Sequence, residues 1–232
     1  MSEQQDLFGV RVAEAPSRGL SPRIGAGGVD AVATLDEEAT LEQLLTRCGA
    51  RGPERLAARL LSRFGGIGRV LGAPPADLAR EAGEQVAIEL GVLHALLVRA
   101  LEHPLRQRPV MSSWTAVRDY LRARLGALPR EAFHVLFLDR KNQLIADERM
   151  GEGSVNHAPV YPREVVRRAL ELSASSLLLA HNHPSGDPAP SSADIDMTRQ
   201  VVEACRPLGI AVYDHFIVGG DRVESLKTLA LM

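Results

Sequence analysis

Short apolar runs separated by helix-like segments constrain the fold of this chain more than any other feature. The strand candidates are AFHVLFL at 132–138, QLIADER at 143–149, SSLLLA at 175–180, IAVYDHFIV at 210–218 and RVESL after the turn Gly219-Gly220-Asp221. Helical spacing of apolar residues marks 162–173 and 193–205 between them. Because strands and helices do not alternate regularly, the pattern predicts an α+β fold in which helices flank a mixed β-sheet.

The part of the chain before these strands has a different pattern. Residues 1–30 lack hydrophobic periodicity and contain Gly, Pro and Ser, which predicts a disordered tail. Residues 31–107 carry apolar positions at three- and four-residue spacing and predict a small helical domain, whose longest helix spans 84–103. LRQRPVMS at 105–112 is typical of a linker. The strands then belong to a second domain at 108–232.

Composition excludes several classes of protein. At about 150 residues per domain, 232 residues allow one domain or two small ones. With 45% apolar residues, 24% charged residues and a net charge of −2, the chain is neither wholly disordered nor collagen-like. Cys48 and Cys205 form no CxxC pair, which excludes a disulfide framework and a cysteine-rich zinc ribbon. The polar N-terminus and the lack of an apolar run of ~18 residues predict a cytoplasmic protein with no membrane partner.

Two histidines at the end of the third predicted strand form the most informative motif. His181 and His183 are two residues apart, so their side chains share one face of the strand. Asp194 follows in the first turn of the next predicted helix, after a loop with enough Pro and Gly to fold back over the strand end. Two imidazoles and one carboxylate leave a position open for water, which is typical of catalytic zinc. The same set of donors also holds Fe(II) in other enzymes.

Each part of this motif also has a structural interpretation. Ser191 and Asp194 fit a capping box, in which the serine binds the start of a helix and the acidic side chain reaches back. A pair of histidines at a strand end can be an ordinary surface pair. The combination of two imidazoles and a carboxylate on one loop favours a metal site.

The spacing H-x-H-x7-S-x2-D is the metal signature of the JAB/MPN (JAMM) metalloproteases. The segments LFLDRKNQLIADE, VYPREVVRRALEL, LAHNHPSGDPAPSSADIDMTRQ and DHFIVGG resemble the RadC branch of that family, a bacterial group labelled as DNA-repair proteins. The resemblance covers residues 110–230 closely and 36–105 loosely, where RadC proteins carry a helix-hairpin-helix region. It implies a JAB/MPN fold, which is cytidine-deaminase-like, preceded by a small all-α, helix-hairpin-helix-like domain.

The resemblance also implies roles for individual residues. His181, His183 and Asp194 match the zinc ligands of the family. Ser191 matches the serine that hydrogen-bonds bound water or the developing oxyanion, so that it serves as cap and as catalytic donor. Glu131, before the first strand, matches the glutamate that takes a proton from the activated water and delivers it to the leaving amine. From the sequence alone, Glu131 would be interpreted as an exposed charge at a strand start.

Other polar residues of the matching segments are interpreted differently. Glu148, at the end of the second strand, is the second candidate for the general base. Asn182 stands where the deubiquitinating relatives have Ser or Thr, so their ubiquitin-type substrates do not transfer to this chain. Asp214 and His215 are adjacent on a strand and face opposite ways, so a structural or supporting role is expected for them. The remaining histidines are interpreted as structural or surface residues: His94, His103, His134 and His157.

The N-terminal part departs from the helix-hairpin-helix pattern. Such hairpins bind phosphates through backbone N–H groups of a Gly-x-Gly turn at a helix N-terminus. Here the turn reads Ala82-Gly83-Glu84-Gln85-Val86, so the second glycine is missing and a glutamate has entered. Residues 1–107 carry 12 basic and 14 acidic residues, whereas a phosphate-binding surface is expected to be basic. DNA is therefore a weakly supported partner.

The leading hypothesis from the sequence is a zinc metallohydrolase that cleaves a peptide or isopeptide bond in an unidentified protein or peptide substrate. The second is a DNA-associated repair or recombination accessory protein, which salt-dependent DNA binding would distinguish. The third is a metal-stabilised interaction module without catalysis, which the intact ligand set disfavours. Neither the substrate nor the oligomeric state follows from the sequence.

Overall fold

The computed structural model describes residues 36–153 and 160–232; the tail predicted at 1–30 and the loop residue His157 lie outside the described residues. The helices before the first strand are α1 Glu37–Arg47, α2 Pro53–Phe64, α3 Ile67–Gly72, α4 Pro75–Ala82, α5 Glu84–Gln107 and α6 Trp114–Leu125. They are followed by β1 Ala132–Leu138, β2 Leu144–Glu152, α7 Pro162–Glu171, β3 Ser176–Asn182, α8 Ser192–Cys205, β4 Ala211–Gly219 and β5 Arg222–Ser225. Short 3-10 helices lie at Val110–Ser112 and Arg206–Leu208.

The five strands form one sheet in the order β2-β1-β3-β4-β5. β3 and β4 are parallel, with α8 in the connection between them, and the other neighbouring strands are antiparallel. The register pairs Phe133 with His181 and Leu179 with His215, so these side chains lie on one face of the sheet. The mixed sheet flanked by helices confirms the predicted α+β class, and the helices before it confirm the predicted helical region.

Each face of the sheet has its own apolar core. Phe133, Val135 and Leu179 pack with α7 and α8 on one face. Leu136, Leu178 and other apolar residues pack with α6 and the last turns of α5 on the opposite face. A third core lies among α1 to α5, where leucines at helical spacing are buried. Because α5 contributes to two cores, the domain boundary after residue 107 stays a prediction.

The linker predicted at 105–112 is wrong at its start, because α5 continues to Gln107. Pro104 lies inside the helix and removes one helical hydrogen bond. Tertiary contacts offset that loss: Leu105 is buried under the sheet, and the Arg106 guanidinium donates to a backbone carbonyl of β2, 2.7 Å away. In the part of the chain that the structure describes, no helix, α5 included, is long and apolar enough to cross a membrane.

A buried polar network joins α6 to β1 and β2. Asp147 Oδ2 accepts a hydrogen bond from the Tyr120 hydroxyl, 2.5 Å, and Asp147 Oδ1 lies 2.7 Å from His134 Nδ1. Burial opposes ionisation of Asp147, but the hydrogen bonds with His134 and Tyr120 and the charge of Arg124 outweigh it and lower the pKa of Asp147. Burial and the neighbouring Asp147 raise the pKa of Tyr120. His134 is thus a structural residue, as interpreted from the sequence.

Asp147→Asn is expected to destabilise the fold by about 1–3 kcal/mol at pH 7, because the buried network loses its charged acceptor. Since the folded pKa of Asp147 lies below its unfolded value, the stabilisation is present above pH ~4 and is lost as the pH falls through the folded pKa. Urea unfolding of both proteins between pH 7 and pH 3 measures the difference, which should shrink with acid. Asp119→Asn, at an exposed ion pair with Arg122, is the matched control and should change stability by under ~0.5 kcal/mol. A pH-independent difference would contradict the assignment.

Candidate metal centre

His181, His183 and Asp194 converge at the carboxyl end of β3. The Nε2 atoms of the two histidines lie 2.9 Å apart. Asp194 Oδ1 lies 3.2 Å from His181 Nε2, and Oδ2 lies 3.6 Å from His183 Nε2. One ligand atom from each residue falls within 4.8 Å of the others, so a single cation can bind all three. The structure therefore brings together the three residues that the sequence proposed as metal ligands.

The loop after β3 folds back over the strand end because its backbone lies close to the backbone of β4. The His183 N–H donates to the Val218 carbonyl, 2.9 Å, which keeps His183 beside β4. At Gly219 a Cβ atom would lie only 2.6 Å from the Gly186 carbonyl oxygen and from the Pro188 nitrogen. A side chain at this position would therefore push the loop away from β4. The glycine keeps the loop close, and the loop delivers Asp194 to the histidines.

Asp194 forms the capping box and faces the histidines at the same time. The Asp194 N–H donates to Ser191 Oγ, 3.2 Å, while Ser191 donates to Asp194 Oδ2 from its backbone, 2.7 Å, and from its hydroxyl, 2.6 Å. Burial opposes ionisation of Asp194, but the adjacent rings of His181 and His183 and the hydrogen bonds from Ser191 lower the pKa of its carboxyl. The structural and the metal-binding interpretations of this motif are therefore compatible.

The Nδ1 atom of each of these histidine rings has a hydrogen-bond partner outside the candidate metal centre. His183 Nδ1 lies 2.8 Å from the Asp187 carbonyl oxygen. Because a carbonyl only accepts, Nδ1 carries the proton, and the neutral ring has its lone pair on Nε2. His181 Nδ1 lies 2.8 Å from His215 Nε2. The neighbouring Asp194 carboxylate raises the pKa of His183 against the effect of burial.

His215 lies behind His181 and is fully buried. Its Nδ1 is 2.6 Å from Thr198 Oγ1 on α8, and its ring packs edge-on against Phe133. Burial, and then the nearby charge of His181, lower the pKa of His215 well below the ordinary value. Asp214 points to the opposite face of the sheet, where it accepts a hydrogen bond from the Ser225 hydroxyl, 2.6 Å. The two neighbours thus face opposite ways, as their positions on one strand predict.

Glu131 lies on the segment that leads into β1, next to the candidate metal centre. It is only 9% exposed, and its charge contributes to the raised pKa of His183. Asn182 holds this segment in place. Its side-chain oxygen accepts from the Ala132 N–H, 2.9 Å, and its amide donates to the carbonyls of Leu128 and Arg130, 3.2 and 3.1 Å. The strand that carries the histidines therefore also positions the segment that carries Glu131.

Glu148 has a different environment. Arg168 of α7 binds it with two hydrogen bonds of 2.7 Å, one to each carboxylate oxygen. These bonds lower the pKa of Glu148. Glu148 lies on β2 and pairs with Val135 of β1, so β1 separates it from β3 and it lies further from the strand end than Glu131. The structure places Glu131, rather than Glu148, beside the three converging residues.

A family model described as a RadC-like JAB domain matches residues 111–231 of this chain. A UPF0758 protein from Rhodobacter capsulatus is 48% identical over 216 residues, which are 92% of this chain and 100% of that relative. This chain belongs to the RadC-like JAB domain family. The resemblance found from the sequence is thus confirmed. The JAB domain match contains the whole sheet and every residue of the candidate metal centre, and the relative extends the similarity into the N-terminal helices.

The sequence did not reveal Thr198 or the function of Asn182 in this JAB domain. Thr198 lies four residues after Asp194 and therefore on the same side of α8, which is the signal that could have identified it. In the sequence, Asn182 stands out only as a departure from the deubiquitinating relatives. Its hydrogen bonds to three backbone groups are visible only once β1 and β3 are paired.

Proposed function

We propose that this protein is a zinc-dependent hydrolase that cleaves a peptide or isopeptide bond. One observation carries the proposal: two imidazole Nε2 atoms and the Asp194 carboxylate face a common point, while the other nitrogen of each ring is engaged elsewhere. Three protein ligands leave a position for water, as in catalytic zinc sites. Zinc held there would lower the pKa of its water towards ~7 and supply a nucleophile near neutral pH.

The donor set fits the proposed ion. Imidazole nitrogen and carboxylate oxygen are ordinary zinc ligands, and the resemblance to the JAMM metalloproteases supports zinc in particular. Fe(II) is the alternative ion for two histidines and one carboxylate. Elemental analysis of the purified protein distinguishes the two metals.

Glu131 is the proposed general base. Its carboxylate takes a proton from the water that attacks the substrate carbonyl and then delivers that proton to the leaving amine. Ser191 is proposed to donate a hydrogen bond to the carbonyl oxygen as negative charge develops there. Its hydroxyl donates to Asp194 Oδ2 in the free protein, so it must rotate towards the substrate. Glu148 is the weaker candidate for the base, because Arg168 binds both of its oxygens.

Zinc-dependent cleavage of peptides tests this function. The protein is stripped with a chelator, divided, and one half is reloaded with zinc; both halves then receive a mixture of linear and lysine-branched peptides. We expect new peptide ends, detected by mass spectrometry, only with the reloaded protein. Cleavage by the stripped half would indicate a contaminating protease. A protein that binds zinc and leaves every peptide intact would favour the non-catalytic interaction module.

DNA has less support as a partner. A groove of about 700 Å³ lies where α2 and α5 begin, at Gly52 and Gly83, and two helix N-termini are favourable for anions. Glu81 and Glu84 line the same groove, however, and Glu81 binds the guanidinium of Arg59. Arg51 and Arg55 line it as well, but the two carboxylates repel phosphates and reduce the positive charge that a DNA-binding site needs, so the groove is weak support for DNA as a partner.

A further inference from the structure

We propose that Thr198 and His215 are positioning residues that fix the tautomer of His181, so that its Nε2 carries the lone pair a metal needs. This inference rests on the metal centre of the proposed function. A chain of short contacts supports it. His181 Nδ1 lies 2.8 Å from His215 Nε2, His215 Nδ1 lies 2.6 Å from Thr198 Oγ1, and Thr198 Oγ1 lies 2.5 Å from the backbone oxygen of Asp194.

The directions of these hydrogen bonds follow from the last acceptor in the series, the backbone oxygen of Asp194. The Asp194 carbonyl oxygen can only accept, so the Thr198 hydroxyl donates to it. A hydroxyl has one hydrogen, so towards His215 the Thr198 oxygen can only accept. His215 Nδ1 therefore carries a proton and donates it to Thr198.

The protonation of His215 determines in turn which nitrogen of His181 carries a proton. Its ring is fully buried between a hydroxyl and another imidazole, neither of which is an anion, so a second ring proton would bury an unpaired charge. The ring is therefore neutral, its Nε2 is an acceptor, and His181 Nδ1 donates to it. The lone pair of His181 then lies on Nε2, which faces Asp194 Oδ1 at 3.2 Å. Both atoms are acceptors, and a cation at their common point satisfies both.

The two histidine ligands obtain the same tautomer by different means. A backbone carbonyl fixes His183 directly, through Asp187. Among the residues that the structure describes, His181 Nδ1 faces the ring of His215, and an imidazole can donate or accept. If His215 carried its proton on Nε2, His181 would accept at Nδ1 and present an N–H to the metal. Thr198 removes this alternative, because its hydroxyl hydrogen is already used by Asp194.

Nitrogen-15 NMR of the metal-free protein tests the relay without any zinc or substrate. We expect His181 and His215 to be protonated on Nδ1 in the unchanged protein and in Thr198→Ser, which keeps the hydroxyl. Thr198→Val, of similar shape without the hydroxyl, should show His215 protonated on Nε2 in part of the molecules. Ser225→Ala is the matched control, since it removes a buried hydroxyl that binds Asp214 on the opposite face.

Zinc affinity, measured by competition with a coloured chelator, is the second readout. Thr198→Val should bind zinc about 10- to 100-fold more weakly, while Thr198→Ser and Ser225→Ala should bind as the unchanged protein does. A His181 without a proton on Nδ1 in the unchanged protein, or undiminished zinc affinity in a folded Thr198→Val, would overturn the inference. If Thr198→Val does not fold, the NMR spectra of the unchanged protein and of Thr198→Ser still show whether His181 and His215 carry their protons on Nδ1. An unchanged protein with the expected tautomers that binds no zinc would instead count against the proposed hydrolase.

Discussion

Asp194→Ala is expected to leave the protein with almost no zinc under conditions in which the unchanged protein retains about one ion per chain. Asp194 is the only carboxylate in the cluster of described residues that could hold a metal. Its removal leaves two imidazoles to bind a doubly charged cation, with no anionic ligand to offset that charge. His183→Ala is expected to have the same effect, because it removes a ligand without touching the capping box.

Elemental analysis after a chelator rinse and a fresh supply of zinc measures this loss. Asp194→Ala also removes the N3 half of the capping box, while the Ser191 cap remains, at a cost of up to about 1 kcal/mol, which thermal unfolding will record. Asp194→Asn separates the two effects, because its amide oxygen still accepts from the Ser191 N–H while the charge is gone. His103→Ala, at an exposed histidine outside the cluster, should keep its zinc. Zinc retained by both Asp194 variants, or absent from the unchanged protein, would make these three side chains structural.

The sequence predicted those parts of the fold and site that depend on local spacing. A two-residue interval puts His181 and His183 on one face of a strand, and a capping motif marks the start of α8 at Asp194. Both signals lie within a few residues of the side chains concerned. The same local logic predicted that Asp214 and His215 face opposite ways, which the register of β3 and β4 bears out.

The remaining features depend on contacts between distant segments. The contact between His181 and His215 exists because β3 and β4 are parallel neighbours in one register, and no local pattern sets that register. Asn182 reaches the segment before β1 only because β1 pairs with β3. The sequence predicts that the helix ends before Pro104, but the burial of Leu105 under the sheet extends α5 past it. Tertiary packing here outweighs a local preference.

Glu131→Gln is expected to lower turnover about 100- to 10,000-fold, the range for loss of a general base, while zinc content stays unchanged. Glutamine keeps the size of the side chain and its contacts with neighbouring groups, but its amide does not take up a proton near neutral pH. Turnover is measured on whichever peptide the zinc-loaded protein cleaves, with elemental analysis of the same samples. The combination of retained metal and lost turnover separates a base from a ligand.

Glu148→Gln is the matched control, because it makes the same chemical change at the other candidate. Arg168 binds Glu148 at the surface, so the variant should lose no more than about 1 kcal/mol of stability and keep its turnover. The reverse result, with activity kept by Glu131→Gln and lost by Glu148→Gln, would reassign the base to Glu148. It would also require Arg168 to release the carboxylate when substrate binds, because in the free protein both oxygens of Glu148 accept from that guanidinium. Glu131 lies on a segment that Asn182, between the two histidines, already holds beside them.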